Sequence, residues 1–547
     1  MDNLRLILIL SLCFVLILIW QAWERDYGRL RAAAATPTVA SPAAEAATPG
    51  PPSAPEIPSI TAPSAGPEPN PPTGGTTVKV ETDTLSAEIN SVGGDLARVL
   101  LRKYPVSADR RDEPFALLDT SEALTFVIQG GLLSDQAAPT HKQPYQAASH
   151  SYELAPNADT LELALRWRSA DGVEVTKTYV FHRGSHLIDL RYTVRNDSAT
   201  DWQGRVYGQL LRRVNKEKKG VVYTYTGAAI SSPEKRYEKI AFDDMADSPL
   251  DRDITQGWAA ILQHYFVAAV VPDREQPYHY YTKVLDGNRY IVGLYGPPQR
   301  VAPNATGSFA VRLYAGPKDQ DVLEKIAPGL DLTVDYGALW FIAKPLFWLM
   351  QKMHAWTHNW GWSIVLLTLA VKLALYHLAA TSYRSMANMK RVQPRLLALR
   401  ERYANDRPRL NQAMMELYKE EKINPLGGCL PIVLQIPVFL ALYWVLLESV
   451  ELRQAPFIGW IKDLSAADPY FVLPLLMGIT MFLQQKMNPA PPDPVQARVM
   501  QMLPFIFTVF FAFFPSGLVL YWLVNNILSI GQQWLITRSI EAAKAPV

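Results

Sequence analysis

The sequence predicts a multidomain protein: an all-α polytopic membrane bundle of six transmembrane helices joined to a large all-β sandwich domain outside the cytoplasm. Three observations predict it. Six apolar runs reach or approach the length that crosses a bilayer, and five of them crowd into the chain after residue 360. Residues 78–331 repeatedly alternate apolar and polar side chains, the period of a half-buried strand. Lys and Arg concentrate in one loop between apolar runs, which sets orientation in the membrane. The net charge of +2 over 547 residues says little about nucleic acid, and no direct DNA binding is expected. Two cysteines, Cys13 and Cys429, both lie in apolar runs, so no disulfide braces the β domain.

Leu4 to Trp20 is a mostly apolar run of 17 residues. The small-residue run Ala32 to Ala35 lies well past it, behind Glu24, Arg25, Asp26, Arg29 and Arg31. That placement suits an uncleaved anchor over residues 1–22 better than a signal peptide. Residues 23–77 hold 12 of the 42 prolines between Ala32 and Thr77 and almost no large apolar side chains. Such a segment cannot bury a core and serves as a disordered tether.

Within 78–331, Ile188, Leu190, Tyr192 and Val194 alternate with polar neighbours. Val173, Val175 and Thr178 to Val180 precede them across a predicted turn at Arg183-Gly184. Val78, Val80, Leu85 and Ile89 lead into Gly93-Gly94, a turn or bulge signal. His182 and His186 lie on either side of Gly184 and read as structural or surface residues. Residues 332–359 are rich in Trp and Phe mixed with Lys344, Gln351, Lys352 and His354. They read as an amphipathic helix lying in the interface, started or kinked by Pro345. His354 and His358 have metal-ligand spacing, but no third ligand stands nearby, and no metal or other cofactor is expected.

The span at 360–380 contains one cation, Lys372, with Thr368 and Tyr376 one helical turn to either side. A cation in a span requires a partner, a water-filled cavity or a route to the headgroups. The next segment, 381–428, carries ten Lys or Arg against five acids, so it is predicted to be cytoplasmic. It has a helical pattern on both sides of Asn405-Asp406, with Pro408 at a helix start. Leu396, Leu399 and Tyr403 are placed to face Leu410, Met414, Leu417 and Tyr418 in a helical hairpin. Spans follow at 429–447, 470–485, 501–514 and 517–535, then a short tail, 539–547. This places both termini in the cytoplasm and residues 21–359 outside. Gln435, Thr480, Gln484, Tyr521, Trp522, Asn525 and Asn526 lie inside these spans, while no acid lies deep in any. Polar residues in spans commonly serve as interhelical glue. Together with an unpaired Lys372 they predict a hydrated cavity able to receive an acidic or polar guest.

The segments NPLGGCLP at Asn424 to Pro431, Gln435-Ile436-Pro437, VELRQAP at Val450 to Pro456, Leu476-Met477-Gly478 and FPSGLVLY at Phe514 to Tyr521 occur in one order. Through them, residues 332–538 resemble the YidC/Oxa/Alb family of membrane protein insertases. The anchor, tether and β domain resemble its Gram-negative form, located in the inner membrane. The resemblance implies a five-helix insertase core over 360–538, and a periplasmic β-supersandwich similar to sugar mutarotases. It implies a non-enzymatic chaperone that inserts nascent membrane proteins through a groove open to cytoplasm and lipid, alone or with the Sec translocon. Lys372 falls where the family places a groove cation, usually Arg. Thr368, Tyr376, Gln435, Thr480, Tyr521, Trp522 and Asn525 complete the expected groove. Ile436, Pro437, Phe439, Met477 and Phe510 are the expected apolar slide into lipid. The hairpin, through Arg384, Lys390, Arg391, Arg395, Arg400, Arg402, Arg407 and Arg409, is expected to receive incoming chains, and with them the ribosome and its targeting machinery. The rival readings are a membrane-anchored sugar-binding or sugar-modifying protein, which needs a His and carboxylate cluster in the β domain, and a small-molecule transporter.

Overall fold

The computed structural model describes residues 75–542 apart from residue 123 and the segments 215–223, 404–405, 422–429 and 489–493. The predicted anchor, nearly all of the tether, the first part of the segment at 424–431 and the end of the tail lie outside the described residues.

The β domain is built from two stacked sheets of eleven and nine strands. The predicted alternation is the burial pattern of its strands. In Leu187–Asn196 the side chains of Ile188, Leu190, Tyr192 and Val194 are buried, and their neighbours face outward. That strand pairs antiparallel with Val173–His182, placing Ile188 opposite Phe181 and Val194 opposite Val175. Gly184 makes the turn between them at φ +69°, left-handed backbone that suits a residue without Cβ. Gly93, at φ +78°, also has no room for a side chain, because a Cβ would lie 2.2 Å from the His141 carbonyl oxygen.

Several strands depart from alternation, among them Phe126–Leu133, Gly227–Ser231, Trp258–Leu262 and Phe266–Val271. Phe266–Val271 is buried along its whole length. Phe266, Ala268 and Val270 face the space between the sheets. Val267, Ala269 and Val271 face a second apolar layer, closed by Leu323 and Ile326. Those two residues belong to helix α1, Gln320–Ile326, which Asp319 caps by accepting from the Val322 N–H. A strand covered on both faces reads as a continuous apolar run rather than an alternating one.

The helical part follows. Helix α2, Trp340–Thr357, contains Pro345 within its second turn. The sequence expectation that Pro345 starts or kinks this helix is corrected in the first respect: the helix begins five residues earlier. Helix α3, Trp360–Ala374, is capped by Asn359, whose side chain accepts from the Trp362 N–H. Helix α4, Tyr376–Arg402, leaves it at an angle of 69°. The single straight helix expected over 360–380 is therefore broken at Leu375. No proline or glycine stands at residues 373–377, so local sequence does not explain the break. Tertiary packing does: beyond the bend, Ala379, Ala380 and Tyr383 close against Ile536. A straight continuation of α3 cannot also make that contact.

Helices α5 (Arg407–Glu420), α6 (Leu430–Glu448), α7 (Val472–Met487), α8 (Pro494–Phe511) and α9 (Ser516–Ala542) complete the chain. Pro408 lies in the first turn of α5, and Asp406 caps it by accepting from the Arg409 N–H. Helix α8 begins seven residues before the run expected at 501–514. Among the described residues no single helix is long and apolar enough to cross a bilayer, whereas α3 and α4 taken together are.

The two parts share buried structure. Lys318, at the foot of the last strand, forms an ion pair with Glu448 at the end of α6. The loop after α6 then enters the β domain. Val450 joins the core between the sheets, and Arg453 lies over the rings of Phe115 and Phe266 while donating to the Pro105 carbonyl. His264 bonds the Leu447 carbonyl oxygen at 2.8 Å.

Candidate functional site: a polar cavity at Lys372

Lys372 lies in the last turn of α3 and faces a small cavity between four helices. Thr368, Val371 and Lys372 of α3, Leu378, Ala379 and Tyr383 of α4, Gln435 of α6, and Tyr521 and Asn525 of α9 line it. Its volume is about 30 Å³, room for a water molecule or two. The structure thus brings together five of the eight predicted groove residues: Lys372, Thr368, Gln435, Tyr521 and Asn525.

A neutral group holds the cation. Lys372 Nζ donates to Ser529 Oγ at 2.7 Å, and Ser529 Oγ donates to the Asn525 carbonyl at 2.7 Å. The Gln435 side-chain amide donates to Asn525 Oδ1. The Thr368 hydroxyl donates back to the Ile364 carbonyl, so its hydrogen is used within α3. Tyr521, Asn525, Ser529 and Gln533 follow one another at intervals of four along α9 and are all buried. They form a polar ridge on a helix that is otherwise largely apolar. Gln533 extends the ridge to Asn488 at the end of α7, donating at 3.0 Å.

Three predicted groove residues lie elsewhere. Tyr376 is 45% exposed and belongs to α4, because the bend at Leu375 takes it off the face of α3 that carries Lys372. Thr480 donates to the Met477 carbonyl within α7 and accepts a long bond from Asn526. Trp522 packs edge-on against Phe439 and tilts over Phe511, a role in packing rather than in lining the cavity. Ser529 and Tyr383 are among the cavity and network residues that the sequence did not single out. Ser529 is signalled by its spacing from Asn525, one turn further on. Tyr383 is not, since it reaches the cavity through the bend.

The predicted slide divides as well. Ile436 and Phe510 are exposed, whereas Met477 is fully buried in the bundle and Phe439 packs on Trp522. Pro437 lies within α6. The broader apolar surface is on α7 and α8, where Leu475, Ile479, Leu483, Phe505, Val509 and Phe510 are exposed. Gly478 allows these two helices to approach, since a Cβ there would lie 1.9 Å from Thr508 Oγ1.

The end of α4 and α5 form the hairpin. Val392, Leu396 and Leu417 are its buried seam, with Met389, Leu399, Met414 and Tyr418 around them. Tyr403 and Leu410, expected in the seam, are not part of it. Glu421 receives Arg391 at 2.6 Å and Arg395 at 2.7 Å, so two of the predicted receiving cations are tied down. Arg409 faces Asp406, and Arg402 lies over the Tyr403 ring. Arg384 and Lys390 are exposed, Arg400 is partly buried, and Arg407 opens α5.

A groove of about 1260 Å³ lies in the β domain and shares no residue with the Lys372 cavity. Asp189, Arg191, Asp273, Arg274, Glu275 and Arg312 rim it, and its lining includes no histidine. Of the histidines weighed from sequence, His182 bonds Asp189 at 2.9 Å and His354 stacks on Trp360.

Residues 77–349 match the family model described as the YidC periplasmic domain, and residues 352–544 match that of the 60Kd inner membrane protein. A membrane protein insertase YidC of Methylococcus capsulatus is 50% identical, covering 99% of both chains. That of Thioalkalivibrio sulfidiphilus is also 50% identical over 99% of each. A crystal structure titled as an active YidC insertase with its first transmembrane domain resolved covers 84% of this chain and 94% of its own, at 17% identity and a TM-score of 0.39.

Proposed function

From the premise that the chain belongs to the YidC membrane protein insertase family, we propose that Lys372 receives the polar flank of an incoming segment. The chain is a membrane protein insertase of the bacterial inner membrane, and its clients are nascent membrane proteins. The cavity, the slide and the hairpin are the parts of this chain we assign to that activity.

A polar or acidic flank crossing hydrocarbon costs several kcal/mol. A cation in a small polar cavity lowers that cost by attraction, which strengthens as the dielectric falls. The observation that carries the reading is the neutral setting of Lys372. Its ammonium meets Ser529 rather than a carboxylate, so its charge is available to a guest. The guest's apolar stretch then leaves sideways past Ile436 and Phe510 along the exposed faces of α7 and α8. In this arrangement six spans cross the membrane, both termini and the hairpin are cytoplasmic, and the β domain is periplasmic. The hairpin's exposed cations, Arg384 and Lys390 among them, meet the ribosome and its targeting machinery, and the bundle works alone or with the Sec translocon. No covalent step is required.

The test uses vesicles carrying purified variants and two clients that differ in an acidic or a neutral flank. Lys372→Arg should insert both. Lys372→Ala should lose the preference for the acidic flank, and Lys372→Glu should reverse it. Insertion of both clients at wild-type level by Lys372→Glu would remove the electrostatic role.

A further inference from the structure

Lys372 is not loose in its cavity. An ammonium has three hydrogens to donate, and among the described residues Ser529 Oγ is the protein atom that accepts one, at 2.7 Å. Ser529 is itself held: it is buried, and its hydroxyl hydrogen goes to the Asn525 carbonyl one turn back on α9. Tyr383 of α4 lines the same cavity. Ser529 therefore ties the last turn of α3 to α9.

The space beside this arrangement is small. At about 30 Å³ it holds a water or two. Ser529 already takes one hydrogen of the ammonium, so a guest carboxylate that reaches for it competes with that contact.

We propose that Ser529 is the positioning residue that parks the Lys372 ammonium on α9 in the unloaded protein, and that an incoming carboxylate engages Lys372 by exchange with the Ser529 hydroxyl. The inference rests on the reading of Lys372 as the receiving charge. Exchange removes one of the ties joining α3 to α9, so guest binding and widening of the cavity are one event. The proton inventory is unchanged: the ammonium keeps its three hydrogens and changes acceptor.

The exchange predicts a specific effect on client choice. Ser529→Ala removes the competing acceptor while keeping the cation. In full-length protein reconstituted into vesicles, the ratio of acidic-flank to neutral-flank insertion should rise about threefold, the scale of one hydrogen bond to a charged group partly replaced by water. Ser529→Thr keeps the hydroxyl and should show the wild-type ratio. In a Lys372→Ala background, Ser529→Ala should leave the ratio where Lys372→Ala put it, because the two residues act as one pair. A purely structural Ser529 would lower both clients together and leave every ratio unchanged, which would overturn the exchange. If Lys372→Ala itself keeps the wild-type ratio, the receiving role of Lys372 fails and the exchange fails with it. If Lys372→Ala abolishes the preference while Ser529→Ala leaves it at the wild-type value, the exchange alone fails.

Discussion

The ammonium of Lys318 lies 3.1 Å from the carboxylate of Glu448, and their side chains are 3% and 6% exposed. One stands at the foot of the last β-strand and the other at the end of α6, the helix that carries Gln435 and Ile436. Lys318 also donates to the Thr333 carbonyl at 3.2 Å. A buried pair of this kind adds little net stability over apolar residues, but half of it is expensive to keep. Lys318→Met should therefore lower the unfolding free energy by roughly 3 kcal/mol. The double variant Lys318→Met/Glu448→Leu should recover most of that loss. Denaturant titration of the purified protein in detergent checks both, and a single variant as stable as the parent would mean the pair is not closed in solution.

The same junction should respond to pH through Glu451. Burial, with repulsion from Asp319 and Asp321, pushes its carboxyl from the ordinary 4.5 up to about 8. The folded state then holds an extra proton between those values. The stability linked to it is full below pH 4.5 and falls away as pH rises to about 8. His264, pushed down to about 4 by burial, acts in the opposite sense below its ordinary 6.5. Above pH 6.5 His264 no longer contributes, while buried Glu448, also raised, acts in the same sense as Glu451. The share of Glu451 is therefore read as the difference between the parent and Glu451→Gln between pH 6.5 and 8. Thermal midpoints should drop across that window in the parent and drop less in Glu451→Gln; parallel curves would refute the assignment.

Lys177 is a cation fully buried inside the β domain. Its ammonium donates to the Gly93 and Gly130 carbonyls at 2.9 Å each, and the rings of Tyr145, Tyr179 and Tyr192 surround it at 5.5 to 5.8 Å. Burial pushes it down to about 8, partly offset by the charge of Asp95. Lys177→Met takes the donor from two buried carbonyls and the opposing charge from Asp95. A loss of roughly 3 kcal/mol is expected, read as a lower denaturation midpoint. Unchanged stability would show that the ammonium is replaceable by apolar packing alone.

The hairpin is expected to matter for receiving clients rather than for folding. Its seam of Val392, Leu396 and Leu417 is internal, while the bundle contact of α4 is made earlier, by Ala379, Ala380 and Tyr383. Deleting residues 384–421 should abolish insertion in vesicles while the detergent-purified protein keeps its helical circular dichroism and a cooperative melt. Full insertion by a stable deletion variant would reduce the hairpin to a signal for orientation.

Much of this architecture is legible in the sequence because it depends on local periodicity. The strand pair at Val173–His182 and Leu187–Asn196 follows from alternation and from Gly184 at the turn. The start of α5 follows from Asp406 and Pro408. Segments such as FPSGLVLY and Gln435-Ile436-Pro437 carry the family, and Lys372 stands out because a cation in an apolar run is costly. What only the tertiary structure decided is whatever depends on contacts between distant segments. The break at Leu375 has no proline or glycine to announce it; packing of Ala379, Ala380 and Tyr383 on Ile536 makes it, and it moves Tyr376 out of the cavity. The full burial of Phe266–Val271 requires α1 to cover a second face of its sheet. The acceptor for Lys372 is likewise a matter of space, since Ser529 lies 157 residues away in the chain and 2.7 Å away in the fold.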